Sequence, residues 1–151
     1  ECSEWMRASA SMPIVSRPVR IDGLTLLDGG LSDALPLAYF EGLGFKKNVV
    51  ITTRPYGYRK KPSRFTPMAK PFLAKYPKIY QSLKMRHHGY NNAISYLEKQ
   101  VADGHALCIA PSEPLPISRI CHNPEQMQKA YDIGRAAGEM AISSIRTFMN
   151  S

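Results

Sequence analysis

At 151 residues, 44 % of them hydrophobic, the chain can bury one ordinary core, so one domain or one piece of one is expected. No apolar run approaches the roughly 20 residues that a helical bilayer crossing needs, and no charged-then-apolar leader opens the sequence, so a cytoplasmic protein in peripheral contact with a membrane at most is expected. The formal net charge of +8 is uneven: residues 1–45 carry three bases and six acids, Lys46–Gly89 twelve bases and no acid, and the remainder five bases and six acids.

Residues 1–10 read as the end of a helix. Met12-Pro13-Ile14-Val15 reads as an extended entry to the next element, because proline disfavours helix in the residue before it. Ser9 and Ser11 read as structural or capping hydroxyls. Val19-Arg20-Ile21 and Leu24-Thr25-Leu26 flank Asp22-Gly23, and an Asp-Gly pair between alternating runs is the strongest short hairpin signal a sequence offers. Leu26-Leu27 then runs into Asp28, with Gly29 and Gly30 directly after it. Residues without Cβ can take φ > 0 and allow close approach, so Asp28 is presented at a strand end rather than lost in a loop. Asp33-Ala34-Leu35-Pro36 turns the chain. Leu37–Leu43 is a short helix with Gly44 as its left-handed stop. Asn48-Val49-Val50-Ile51-Thr52-Thr53 has apolar residues in succession and reads as a strand covered on both faces, as in a parallel sheet. Strand, helix and strand at this spacing predict a right-handed crossover unit.

From Arg54 to Pro71 there is no clear period, and Pro55, Pro62, Pro67 and Pro71 lie among the bases: a long basic loop of the functional or mobile kind. Tyr56, Tyr58, Phe65, Phe72, Tyr76 and Tyr80 are interleaved with the charges. Two readings stay open, a solvated face or the footprint of an anionic partner such as lipid head groups. Nucleic acid would meet the same chemistry but is not the expected partner. Arg54, Arg59, Lys60 and Lys61 are the candidate phosphate or head-group ligands. Two helices follow, one starting near Pro77 with Ile79, Tyr80, Leu83 and His87 on one face, the other burying Tyr90, Ala93, Ile94, Leu97 and Val101 before Gly104 stops it. His87-His88 then sits at a helix end before Gly89, complementing the dipole.

Ala106–Ala110 reads as a buried strand with Cys108 in the core. Pro111, Pro114 and Pro116 keep the chain extended until Asn123-Pro124, an N-cap followed by proline at the first helical position. The closing helix carries Met127, Ala130, Tyr131, Gly134, Ala137, Gly138, Ala141, Ile145 and Phe148 on one stripe, its Gly/Ala centre implying close packing. Cys2, Cys108 and Cys121 are odd in number with no CxxC, which points to reduced thiols. His105 has no partner that suggests a triad, Cys121-His122 reads as structural, and neither a metal site nor a cofactor is expected.

The order of residues resembles the C-terminal half of the patatin-like phospholipase family. The likeness runs through Ala8-Ser9-Ala10-Ser11-Met12-Pro13, the Asp22-Gly23 hairpin, Asp28-Gly29-Gly30-Leu31, Pro36, Gly44 and Val49-Val50-Ile51. Thr53-Arg54-Pro55, Tyr58-Arg59-Lys60-Lys61, Arg86, Tyr90-Asn91 and Ile109-Ala110-Pro111 look like a bacterial branch with a basic loop and a helical extension. The resemblance implies an α/β fold class, the C-terminal part of a three-layer α/β/α patatin-like fold with a helical extension. Its divisions would be residues 1–53 in the catalytic domain, 54–70 as the basic loop, and 71–151 as the extension with one further strand. It also implies a lipid-degrading acyl hydrolase with a Ser-Asp dyad, whose nucleophile stands in a G-x-S-x-G elbow and whose oxyanion hole is a glycine-rich loop. Asp28 falls on the dyad aspartate, with Gly29 and Gly30 positioning it. A serine hydroxyl needs an adjacent base to become a nucleophile, and preorganised N–H groups stabilise the oxyanion that forms. This chain holds neither the elbow nor the glycine-rich loop, and it opens on Glu1, so the base is expected here without its nucleophile, inside a longer protein. The expected partners are a lipid or acyl-ester substrate, an anionic membrane surface met by the basic block, and, because a fragment lacking the first strands of its sheet exposes an unpaired edge and apolar faces, the N-terminal half of the same protein or a second copy. The alternative is a non-catalytic module that binds anionic lipid or nucleic acid through the Lys46–Arg86 block.

Overall fold

A computed structural model describes residues 2–118 and 121–151; the helical reading at Glu1 lies outside the described residues. The elements are α1 (Cys2–Ser9), β1 (Val19–Ile21), β2 (Leu24–Leu26), α2 (Leu37–Gly42), β3 (Asn48–Ile51), α3 (Pro77–Ala102), β4 (Ala106–Ile109) and α4 (Pro124–Asn150), with 3-10 turns at Gly29–Leu31 and Thr66–Ala69. This is a mixed α/β chain. It divides into two units, Glu1–Pro36 with Arg59–Ala93, and Leu37–Tyr58 with Ile94–Ser151.

In the first unit β1 and β2 pair antiparallel, with Val19 opposite Leu26 and Ile21 opposite Leu24. Asp22 (φ 49°) and Gly23 (φ 77°) are both left-handed, the turn whose twist matches that of the strands it joins. Val19 and Ala8 are buried where α1 packs on β1. Ser11 is buried too, its hydroxyl donating to the Arg7 carbonyl at 2.8 Å. The extended entry expected at Met12–Val15 is instead a turn: Ser16 N–H reaches the Met12 carbonyl at 2.9 Å, and Ile14 sits at φ 72°. Proline presets the first turn position, and the closing hydrogen bond holds a β-branched residue in a region it rarely adopts.

The two helices expected on either side of Gly89 are one, α3. Ile79, Leu83, Arg86, Tyr90, Ile94, Leu97 and Val101 run in phase through Gly89, which lies on the exposed side, so continuous packing outweighs the ~1 kcal/mol that a helical glycine costs. His87 and His88 are therefore mid-helix and do not meet a helix C-terminus. Their rings lie 4.0 Å apart.

In the second unit β3 and β4 pair in parallel, from Asn48 opposite Ala106 to Ile51 opposite Ile109. The crossover predicted through Leu37–Leu43 does not form within one sheet, because β2 pairs with β1 and the parallel partner of β3 is β4, reached through α3. Nor is β3 covered on both faces. Its burial alternates, with Val49 37 % and Ile51 73 % exposed, so the apolar succession conceals a one-sided strand. Gly44 (φ 96°) and Gly104 (φ 76°) stop α2 and α3 in left-handed conformation, and Asn123 Oδ1 caps α4 by accepting from Glu125 and Gln126 N–H. Of the stripe expected on α4, Ala130, Ala137, Gly138, Ala141, Ile145 and Phe148 are half-buried, whereas Met127, Tyr131 and Gly134 are exposed, and a Cβ at Gly134 or Gly138 would meet nothing within 4 Å, so the close packing expected at the Gly/Ala centre is absent among the described residues. Cys108 is half-buried, and burial pushes its thiol up against a smaller opposing hydrogen bond from Thr52. Tyr96 donates to the Glu41 carboxylate, and that hydrogen bond raises the Tyr96 hydroxyl. Among the described residues no helix is long and apolar enough to cross a membrane, and no three His, Cys, Asp or Glu side chains group as metal ligands.

Candidate functional site

The hairpin ends at Leu26, and Asp28 stands two residues on, as the N-cap of the turn Gly29–Leu31. Its Oδ1 accepts the Gly30 N–H at 2.7 Å, its own N–H donates to the Ser11 carbonyl at 2.8 Å, and its carbonyl accepts Leu31 N–H at 3.2 Å. The Gly29 carbonyl accepts from Ser32 and Asp33 N–H at 3.0 and 2.9 Å. A short polar side chain that bonds the backbone two residues ahead is what builds such a turn. The carboxylate is half-buried, and no ion pair engages it among the described residues.

Neither Gly29 nor Gly30 uses the left-handed region that the sequence suggested for them. The demand for glycine at position 30 is one of space: a Cβ there would lie 3.1 Å from Arg86 Nη2 and 3.1 Å from Asp28 Oδ1. At Gly29 a Cβ would meet nothing within 4 Å, and nothing in the structure explains a glycine there.

Arg86 was not among the candidate site residues. Its Nε donates to the Gly30 carbonyl at 2.9 Å from α3, and its guanidinium borders a cavity of about 320 Å³ lined also by Gly30, Ser32, Ser82, His88 and Asn92. A second, apolar cavity of about 430 Å³ is lined by Ile14, Leu27, Phe72, Leu73, Tyr76 and Ile79. The residues on either side of Asp28-Gly29, Leu27 and Gly30, thus each line a cavity. A long-range contact to a lone arginine leaves no periodic trace, and the only sequence signal at Arg86 was its place in the resemblance.

The four basic candidates have different settings. Lys60 Nζ lies 5.0 Å over the Tyr90 ring, and its backbone is clasped by Asn91, whose Oδ1 accepts Lys60 N–H at 2.7 Å while its Nδ2 donates to the Lys60 carbonyl at 3.0 Å. Arg59 and Lys61 flank it on exposed backbone. Arg54, in the second unit, lies 5.2 Å over the Tyr58 ring. Cations over ring faces are favourable and leave an aromatic–basic surface.

Residues 1–41 match the family model described as patatin-like phospholipase, and residues 76–150 match a domain of unknown function, DUF6363. The chain is 27 % identical over 142 residues to the uncharacterized protein YjjU of Escherichia coli (strain K12), an alignment covering 93 % of this chain. It spans 40 % of that relative's length.

Proposed function

We propose that Asp28 is the base of a Ser-Asp dyad in a patatin-like acyl hydrolase acting on phospholipids, lysophospholipids or other carboxylic esters, with the serine and the oxyanion donors supplied by polypeptide outside these 151 residues. On this reading residues 1–53 belong to the catalytic domain, 54–70 are a basic loop beside it, and 71–151 extend it. The carboxylate takes the proton of the serine hydroxyl as Oγ attacks the ester carbonyl, and returns it to the leaving alkoxide as the tetrahedral intermediate collapses to an acyl-enzyme. It then takes a proton from the water that attacks the acyl-enzyme, and returns it to the serine Oγ as the acid leaves.

The observation that carries this reading is the hold on the side chain. Gly30 N–H fixes Oδ1, so one carboxylate oxygen is oriented by the backbone, and no ion pair engages the side chain among the described residues. The family match over the same segment supports it. In the full-length protein, Asp28→Asn keeps an acceptor oxygen and removes the basicity. Turnover of p-nitrophenyl esters should fall about 10²–10⁴-fold with the circular dichroism spectrum unchanged; undiminished turnover would refute the assignment.

A further inference from the structure

We infer that Arg86 is a positioning residue for Asp28, and that the segment matched as a domain of unknown function thereby completes the site formed by the patatin-like segment. This rests on the reading of Asp28 as the base. Gly30 is gripped at both of its polar atoms: its N–H holds Asp28 Oδ1 at 2.7 Å, and its carbonyl accepts Arg86 Nε at 2.9 Å. The small turn Gly29–Leu31 is closed by backbone bonds at Asp28 and Gly29, but Gly29 and Gly30 have no side chains to pack, and Arg86 is the side chain that holds the Gly30 carbonyl. A charge-assisted bond from a half-buried guanidinium on a long helix supplies a rigid anchor.

The second contact argues for a guanidinium in particular. With Nε committed to the carbonyl, Nη2 comes to rest beside the α-carbon of Gly30, in the space a Cβ would enter, and Asp28 Oδ1 borders the same space at the same 3.1 Å. The planar fork of arginine occupies both places at once, whereas the single ammonium of lysine reaches the carbonyl alone. Arg86 lies within residues 76–150 and Gly30 within residues 1–41, so this hydrogen bond joins the two matched segments at the residue whose N–H holds the Asp28 carboxylate. Displacing a base by about 1 Å costs as much as 10²-fold in rate, which sets the scale of the effect.

The test is steady-state ester hydrolysis and thermal unfolding by the full-length protein carrying Arg86→Ala, Arg86→Lys, Gly30→Ala or Asp28→Asn. Arg86→Ala should lower kcat about 10–100-fold with KM within about twofold, Arg86→Lys should retain an intermediate kcat, and millimolar guanidinium should restore part of the kcat lost in Arg86→Ala. A merely structural arginine would lower Tm without rescue by a small cation. Wild-type kcat in Arg86→Ala alongside an inactive Asp28→Asn overturns the role of Arg86 and leaves Asp28 in place; full activity of Asp28→Asn overturns both. Gly30→Ala, whose Cβ would lie 3.1 Å from both Nη2 and Oδ1, should lower kcat as well; should Arg86→Ala fail to fold, Arg86→Lys decides, because it keeps the charge and loses the fork, and wild-type kcat in that variant refutes the inference.

Discussion

The two strand pairs are specified over very different lengths of chain. β1 meets β2 across two residues, Asp22 and Gly23, whose left-handed conformations close the turn by themselves. β3 meets β4 only after the basic segment and the whole of α3. In the hairpin, register is fixed by adjacent residues and survives little change in the turn. In the parallel pair, register depends on side chains that bury themselves around it, because the entropy of closing a long connection has to be offset by packing.

The largest effect should follow from opening a cavity among the buried side chains of the second unit. Leu97, on the part of α3 in the second unit, is 1 % exposed, and Leu97→Ala should destabilise the protein by about 2–5 kcal/mol in urea unfolding. A loss of a few tenths would mean that buried side chains contribute little to the second unit, and the contrast would fail. Gly23→Val forces a β-branched residue to φ 77° with open space around it, so its cost is conformational alone, about 1–2 kcal/mol. A cost matching that of Leu97→Ala would show that the hairpin nucleates more than itself. The smallest effect belongs to Tyr96. Its hydrogen bond to Glu41 raises the hydroxyl in the folded state, so this contribution is complete below the ordinary tyrosine value near 10 and is lost as pH climbs through the folded value. Absorbance titration at alkaline pH should show one late phenolate that Tyr96→Phe removes. If the late phase persists in Tyr96→Phe, the assignment to this pair is wrong.

What was legible in the sequence was local. Asp22-Gly23, the stops at Gly44 and Gly104 and the cap at Asn123-Pro124 each act through neighbouring backbone, and each stands where the residues placed it. Misreadings arose where a local rule met a longer-range one. Gly89 reads as a helix break until the apolar phase is followed through it; Pro13 reads as extended until Ser16 closes back on Met12. β3 looks two-sided because Val49, Val50 and Ile51 are all apolar, while burial alternates beneath that composition. At the site, the hairpin and the Asp28 turn were readable as motifs. The grip of Arg86 on Gly30 was not, since no spacing rule connects a loop carbonyl to a side chain on a helix far along the chain.

Asn91 and Lys60 carry a different consequence. An amide that both donates to and accepts from one backbone residue is neutral, so its hold on position 60 is indifferent to counterions and to the ordinary range of acidity. The cations around it are not: their field fades beyond about 8 Å in physiological salt. Shape and attraction are thereby uncoupled along this stretch, and brine can silence its pull on an anion while the mooring at Lys60 stays fast.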